Sequence, residues 1–180
     1  MAKNKRKITD KILISLGVVA TAVLLIVGGL AWWAYSFTNT NVHDQLAAQK
    51  VEFPPLGSPA LASPLIGPYL DKYAGQQLLT GPEAKAYADH FIAVHLSEVA
   101  GGQTYSQVST ASLADPSNTQ LKAEAQTLFQ GETLRGLLLG DAYAFSTVGH
   151  IAQITAVVCF IAGGLMFILV LLGLAHLSRL

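Results

Sequence analysis

The stretch "ILISLGVVATAVLLIVGGLAWWAY" (residues 12–35) decides the fold of this 180-residue chain, because it contains no charged side chain. About 20 predominantly apolar residues are enough for a helix to cross the roughly 30 Å hydrocarbon core of a membrane. A second stretch, "ITAVVCFIAGGLMFILVLLGLA" (residues 154–175), has the same character. The sequence therefore predicts two transmembrane helices, over residues 12–37 and 151–175.

The first predicted span is interpreted as an uncleaved signal-anchor. Its apolar core is longer than the roughly 7–15 residues of a signal-peptide core, and no A-x-A cleavage pattern follows it. The aromatic residues of "AWWAYSF" (31–37) are typical of a membrane–water interface. A cleaved signal peptide is the alternative interpretation.

The basic residues near the spans predict the orientation of the chain. The N-terminal segment 1–11 carries five of them: Lys3, Lys5, Arg6, Lys7 and Lys11. On the other side, only Lys50 and Arg135 lie close to the spans. Since basic residues favour the cytoplasmic side, segment 1–11 and the tail 176–180 are predicted to be cytoplasmic. Residues 38–150 are then an extracytoplasmic domain at the cell membrane.

Composition agrees with a membrane protein, because 52% of the residues are hydrophobic and only 12% are charged. The formal net charge is zero, but residues 38–148 contain five basic and ten acidic residues, a net charge of −5. An acidic domain argues against nucleic acid as a partner. The single cysteine, Cys159, lies inside the second span, so the outer domain must fold without a disulfide.

Local patterns predict that the outer domain is helical. Five of the seven prolines fall in "FPPLGSPALASPLIGP" (53–68), which indicates an extended connector that lies along a surface. "TGPE" (80–83) is a capping box that begins a helix ending at the glycines 101 and 102. "TYSQVSTASLA" (104–114) predicts a shorter helix with a second capping box.

The last helix is predicted to begin at "DPSN" (115–118), with Pro116 in its first turn. It continues from residue 119 into the second span, with a kink near Gly140, and residues 41–50 extend the first span outward. The predicted fold is an all-α membrane protein, a two-transmembrane helical hairpin with a small helical extracytoplasmic cap.

A charged pair, Glu132 and Arg135, stands in the leucine-rich stretch "LFQGETLRGLLLGDAYAF" (128–145). The two residues share one helix face because they are three positions apart. One interpretation is an intrahelical pair at the water boundary. The other is that Arg135 reaches across to the Pro-rich segment or to a partner.

The glycines of that stretch favour the second interpretation, because they let another chain approach closely. The candidate interaction residues are Glu132, Arg135, Gly131, Gly136, Gly140 and Phe129. In the spans, Gly28–Gly29 and Gly163–Gly164 also allow close helix approach, although neither forms a G-x-x-x-G motif.

No catalytic, metal or cofactor site is predicted. His90 and His95 lie on one predicted helix, but a spacing of five separates their directions by about 140°, so packed or capped histidines are expected. The sequence contains no nucleophile elbow, Walker loop, Rossmann fingerprint or zinc-type spacing. The chain is therefore expected not to be an enzyme.

Four segments of the chain resemble a group of uncharacterised two-span membrane proteins from actinobacteria: "VEFPPLGSP", "YAGQQLLTGPEAKAYADHFIAVHL", "TYSQVS" and "LFQGETLRGLLL". The resemblance covers most of the outer domain and the start of the second span. It implies a membrane location with the same topology, and it implies no established activity.

The function that these features favour is a non-catalytic membrane accessory or assembly subunit. It would dock through its outer domain and spans onto a larger membrane complex, of an energy-transducing or cell-envelope kind, or onto further copies of itself. Its expected partners are membrane lipid and membrane protein. The alternative is a membrane-tethered sensor, with a small ligand held between residues 73–76 and the helix over 81–100.

Overall fold

The computed structural model describes residues 2–179, with side chains from Arg6 onward. The side chains of Lys3 and Lys5, and Leu180 of the predicted tail, lie outside the described residues. The prediction of an all-helical chain is confirmed. Among the residues described there is no strand, and the only β-type pairing is an isolated bridge between Glu52 and Gln77.

Within residues 2–179 the structure has seven α-helices: α1 (Ala2–Gln49), α2 (Gly67–Leu70), α3 (Gly81–Ala86), α4 (Ala93–Val99), α5 (Tyr105–Ala114), α6 (Thr119–Leu137) and α7 (Phe145–Ser178). Short 3-10 turns cover Pro59–Leu61 and Asp71–Tyr73. A first π-helical segment, Tyr87–Ile92, joins α3 to α4, and a second, Leu138–Ala144, joins α6 to α7.

Two of the helical stretches, Arg6–Gln49 and Thr119–Ser178, are long and apolar enough to cross a membrane. The predicted extension of the first span through residues 41–50 is confirmed, since α1 continues to Gln49. The predicted continuation from residue 119 into the second span is confirmed as well. Close to Gly140, where a kink is predicted, the helix contains the second π-helical segment, Leu138–Ala144.

The chain divides into two compact units. One, the helix pair, comprises the residues up to Phe37 together with those from Val148. The other, the central domain, is Thr38–Thr147.

The helix pair is held by small residues that recur every seven positions. On α7 the buried positions are Gly149, Ala156, Gly163 and Val170, and on α1 they are Thr21 and Gly28. A seven-residue period keeps one seam of each helix facing its neighbour, as in a left-handed coiled coil.

Only one glycine of each predicted pair serves this seam. A Cβ on Gly28 would lie 2.9 Å from a ring carbon of Phe160, and a Cβ on Gly163 would lie 3.3 Å from Leu25. A Cβ added to Gly29 or to Gly164 would contact no neighbouring side chain within 4 Å. The close approach predicted from the glycine pairs is therefore confirmed for Gly28 and Gly163 alone.

The central domain has its own hydrophobic core, to which nearly every element contributes. Its largest fully buried side chains are those of Phe53, Ile66, Leu70, Leu78 and Val108. The prediction of an extended connector is wrong for the Pro-rich segment, because the segment contains turns, the 3-10 turn Pro59–Leu61 and the start of α2. It inserts Phe53, Leu61 and Ile66 into the core. It is therefore part of the domain's packing, because its apolar side chains remove more surface from water than a free linker would.

Helix ends follow the local chemistry of the sequence in most places. The capping boxes of Thr80 with Glu83 and of Thr104 with Gln107 are both complete. The predicted role of Pro116 is wrong, because Asn118 caps α6 by accepting from the backbone N–H of Leu121 at 3.1 Å. Pro116 lies in the preceding turn, which is closed by hydrogen bonds from Ser117 to the Asp115 carboxylate.

The glycine seam generates a paired test. We expect Gly28→Leu to destabilise the helix pair by about 1–3 kcal/mol, because overpacking a close contact forces neighbours aside. Gly29→Leu adds the same side chain one position along, into open space, and should leave the melting temperature in detergent unchanged. Equal melting temperatures for the two variants would contradict the seam.

Candidate functional site

Asp89 lies between two cations at the centre of a charge cluster in the central domain. One of its carboxylate oxygens accepts a hydrogen bond from Lys85 Nζ, one helical turn away. Its other oxygen is 3.6 Å from Nη2 of Arg135 on α6. Arg135 Nη1 in turn lies 3.4 Å from Glu132 Oε2.

Of the two interpretations of Arg135, the intrahelical pair describes one of its contacts, and contact with a partner stays a prediction. The intrahelical pair with Glu132 is present, and the guanidinium also reaches across to another element. That element is the first π-helical segment, which carries Asp89, so the predicted contact with the Pro-rich segment 53–68 is wrong. The carboxylate of Asp89 is within reach because α6 packs against this segment.

The position of Arg135 on α6 explains why it needs a partner. It stands seven residues after the buried Leu128, on the face of α6 that packs on the core. The side chain is 34% exposed, and its Nε is buried without a hydrogen-bond partner in the described part of the chain. A partly buried cation is costly unless an anion compensates it, and Asp89 provides that compensation.

The two ends of the Lys85–Asp89 pair shift each other's pKa in opposite directions. The hydrogen bond from Lys85 holds the pKa of Asp89 below its ordinary value of 3.8, assisted by the charges of Lys85 and Arg135 and opposed by burial. The same hydrogen bond and the Asp89 charge raise the pKa of Lys85. Since both groups stay charged at neutral pH, the cluster is suited to joining helices.

An aromatic ring of the second π-helical segment lies against the charge cluster, and the first segment carries further rings. Lys85 Nζ lies 5.3 Å from the ring centroid of Tyr143, which belongs to the second segment. Burial raises the pKa of Tyr87 in the first segment, whose ring stacks on Phe91. The cluster thus brings together α3, α6 and both π-helical segments.

The remaining candidate interaction residues lie in different surroundings. At Gly131 a Cβ would collide with the side chain of Leu96 on α4, so this glycine permits a close contact inside the domain. Gly136 and Gly140 have open space beside them. Phe129 is half exposed, and its ring centroid lies 5.6 Å from that of Tyr105.

A groove of about 410 Å³ lies between the end of α1 and the last turns of α6 with the second π-helical segment. Its walls are mainly apolar, and Leu134 and Leu137 remain 38% and 53% exposed. Asp141 is the charged residue of the groove and forms no ion pair with the residues described. The lining residues are Val42, Gln45, Leu46, Gln49, Leu134, Leu137, Leu138, Asp141 and Ala142.

Sequence reasoning missed this groove, although a signal for it exists. Leu134, Leu137 and Asp141 recur at spacings of three and four, so they share one helix face. That face lies beside the one that carries Arg135. The sequence analysis singled out the charged pair Glu132 and Arg135, whereas the apolar residues next to that pair line the groove.

The histidines are packed, as predicted. The ring of His90 stacks on Tyr69 with a centroid distance of 3.7 Å. His95 Nδ1 lies 2.8 Å from the carbonyl oxygen of Phe91. In the part of the chain that the structure describes, no three His, Cys, Asp or Glu side chains are grouped as metal ligands would be.

The region proposed for a small ligand is occupied by packed aromatic rings. Phe53 stands between residues 73–76 and the helix that follows Thr80, with ring centroids 5.2 Å from Tyr73 and 5.4 Å from Tyr87. The alternative of a small ligand in this region stays a prediction.

No family model, curated protein or solved structure matches this chain. The resemblance to actinobacterial two-span proteins therefore stays a prediction.

The charge cluster predicts how stability depends on pH. A carboxylate whose pKa is lowered on folding stabilises the native state above its ordinary value of 3.8, and that contribution is lost as the pH falls through the lowered value. We expect the melting temperature of the wild type to fall more steeply below about pH 4 than that of Asp89→Asn. Asp44→Asn, which changes a carboxylate that is 71% exposed, is the control and should follow the wild type.

At neutral pH the same cluster predicts that Arg135→Gln lowers stability by about 1 kcal/mol, because the pair with Asp89 is only partly shielded from water. The loss should be much smaller when Asp89 is already asparagine, as a double-mutant cycle measures. Additive losses would contradict a direct interaction between the two side chains.

Proposed function

We propose that this protein is a non-catalytic, two-span membrane accessory subunit that binds another membrane protein through the groove of its central domain. The observation that carries the proposal is the groove itself, which joins exposed leucines to Asp141, an acidic residue that forms no ion pair with the described residues. An exposed apolar surface rimmed by polar groups commonly marks a protein–protein contact.

The membrane location is supported by the exposure of the two long helices. In the most apolar window of each, only 11% of the residues are buried within the chain. The core helix of a soluble protein would be mostly buried, whereas lipid-facing side chains need no protein cover. The contacts of Gly28 and Gly163 between α1 and α7 favour retention of the first span over its cleavage as a signal peptide.

The two ends of the helix pair support the proposed orientation. Arg6 Nη2 lies 3.4 Å from His176 Nε2, so the start of α1 and the end of α7 are neighbours. Of the eleven basic residues, six belong to residues 1–11 and 176–180. Because basic residues favour the cytoplasmic side, both termini are assigned to the cytoplasm and the central domain to the outside.

The chemistry of the groove supports an occupant that is apolar and cationic. Asp141 offers a carboxylate, and Gln49 is the last residue of α1, where the helix dipole adds partial negative charge. No basic side chain is among those that line the groove. A helical segment with apolar residues around one Lys or Arg meets these requirements, because complementary charge gives an interface its specificity.

Single-cysteine labelling tests the topology. Leu113 is 78% exposed on the central domain, and Ser178 stands at the end of α7. In a Cys159→Ser background, we expect Leu113→Cys to react with an impermeant thiol reagent on intact cells and Ser178→Cys to react only after lysis. The reverse pattern would invert the topology and remove the proposed function.

Photocrosslinking tests the groove as a docking site. A photoreactive amino acid at Leu137 should crosslink to one other membrane protein, while the same group at Leu113, outside the groove, should not. Adding Asp141→Lys should lower the Leu137 yield about tenfold, because a cation would then face the partner's cation. Equal yields at the two positions would contradict docking in the groove, and crosslinks to a second copy would identify a homo-oligomer.

The groove also favours a second candidate function, the binding of a small ligand. Its volume of about 410 Å³ falls within the roughly 300–1,000 Å³ of small-molecule sites. A cationic amphiphile that raises the melting temperature of the wild type but not of Asp141→Lys, without any crosslinked protein at Leu137, would favour this function.

A further inference from the structure

A shallow pocket of about 420 Å³ opens along the contact between α5 and α6 in the central domain. It shares no residue with the groove beside Asp141. Four of its six lining residues carry polar groups, so the pocket suits a ligand that forms hydrogen bonds. The lining residues are Tyr105, Ser112, Lys122, Ala125, Gln126 and Phe129.

The Ser112 side chain gives the most specific indication of a ligand. The residue is only 8% exposed, yet its hydroxyl forms no hydrogen bond with the residues described. Thr110, two positions earlier, donates to the carbonyl oxygen of Ser106, which is the usual way in which a helix satisfies such a hydroxyl. The Ser112 oxygen is not among the enclosed, unpartnered atoms of the described residues. It is therefore free to bond with a molecule that enters the pocket.

Two further polar side chains make the Ser112 end of the pocket cationic and rich in hydrogen-bonding groups. Lys122 forms no ion pair with the described residues. The amide of Gln126, one helical turn further along α6, forms no hydrogen bond with them either. An ammonium only donates, whereas an amide and a hydroxyl both donate and accept. This end therefore fits an anionic group that stands next to hydroxyls.

The other end of the pocket is aromatic. The rings of Tyr105 and Phe129 lie 5.6 Å apart at an angle of 47°, and both residues are at least 40% exposed. Tyr105 precedes Ser112 by two helical turns on α5, and Phe129 follows Lys122 by two turns on α6, so about 10 Å separates the two ends. A ligand that occupies both ends is elongated, with an apolar face at one end and an anion at the other.

We infer that this pocket binds an anionic oligosaccharide through two linked sugar rings. The C–H groups on one face of the first ring pack on Tyr105 and Phe129, because the faces of aromatic rings carry partial negative charge. The hydroxyls of the second ring bond with Ser112 and Gln126. Its anionic substituent accepts a charge-assisted hydrogen bond from Lys122.

The surroundings of the pocket limit the class of ligand. Residues 38–148 carry a net charge of −5, which repels a densely charged polyanion, so a glycan with few charges fits better than a nucleic acid. An apolar ligand would leave Ser112 and Gln126 unpaired. An acidic peptide shares the charge of the glycan but brings fewer hydroxyls. The inference rests on the proposed topology only in placing the pocket among the glycans of the cell envelope.

A glycan array tests the inference with the full-length protein in detergent. The array carries neutral oligosaccharides beside counterparts that contain hexuronic acid, sialic acid or N-acetylmuramic acid, together with a triglutamate peptide. We expect at least one anionic glycan to bind about fivefold better than its neutral counterpart, as an ion pair open to water would give. The preference should decline at about 1 M salt, because salt screens such a pair.

Titration of that glycan against variants assigns the parts of the pocket. Lys122→Gln should bring the ratio of anionic to neutral binding close to one. Phe129→Leu should weaken both glycans by up to about tenfold, because the ring is lost, and Ser112→Ala should weaken both about fivefold. Lys72→Gln is the matched control, since it removes an exposed lysine that lies over the Tyr73 ring, and it should change neither binding nor ratio.

No binding to any anionic glycan, a ratio of one in the wild type, or a ratio unaffected by Lys122→Gln would overturn the inference. Tighter binding of triglutamate than of every glycan would overturn it in favour of a peptide. Asp141→Lys separates this site from the groove, because it should abolish docking there and leave glycan binding unchanged. Failure of the glycan site and failure of the proposed function are therefore distinct results.

Discussion

The central domain is organised around one electrostatic requirement, the need of Arg135 for an anion on the packed face of α6. Asp89 meets that requirement from the first π-helical segment, at 3.6 Å, and is itself held by Lys85. Arg135 lies on the same side of the helix as the buried Leu128 and Leu138, so the pair and the hydrophobic core favour the same rotation of α6 about its axis. In that rotation Leu134, Leu137 and Asp141 line the groove.

The helix pair is held differently from the central domain. Its helices approach closely at small residues, and few polar side chains lie between them. Buried positions recur every seven residues on α7, from Gly149 to Val170. Between apolar helices, close packing of small side chains supplies the attraction that the hydrophobic effect cannot supply in lipid. The polar residues Asp10 and His176 lie at one end of this seam.

Most of the fold is predictable from the sequence because its determinants are local. The capping boxes at Thr80 and Thr104 each need only residues three positions apart, and the two long apolar runs identify themselves. Pro116 was misjudged because Asn118, two residues later, is the better cap. The seam is only partly predictable, because a G-x-x-x-G motif is the familiar signal for close helix packing. The buried residues of these helices recur every seven positions instead.

The candidate site was harder to predict because its members are distant in sequence. Asp89 and Arg135 are 46 positions apart, and only tertiary packing brings them together. No local pattern of the kind that marks the capping boxes marks either π-helical segment. Glycine content likewise marked Gly131, Gly136 and Gly140 alike, although only Gly131 meets a neighbour within the domain.

The core of the central domain joins residues from both of its ends, and this has a consequence for biosynthesis. Val42 and Leu46 share that core with Leu138 and Ala142. The first of these core residues is therefore synthesised about 100 residues before the last. At roughly 5–20 residues per second, the ribosome needs on the order of 5 to 20 seconds to supply them. During that interval the helices between them, each with its own start and stop signals, have time to form. The nascent end of α1 meanwhile presents bare apolar side chains, a stage at which a chaperone or the translocation machinery has the opportunity to bind.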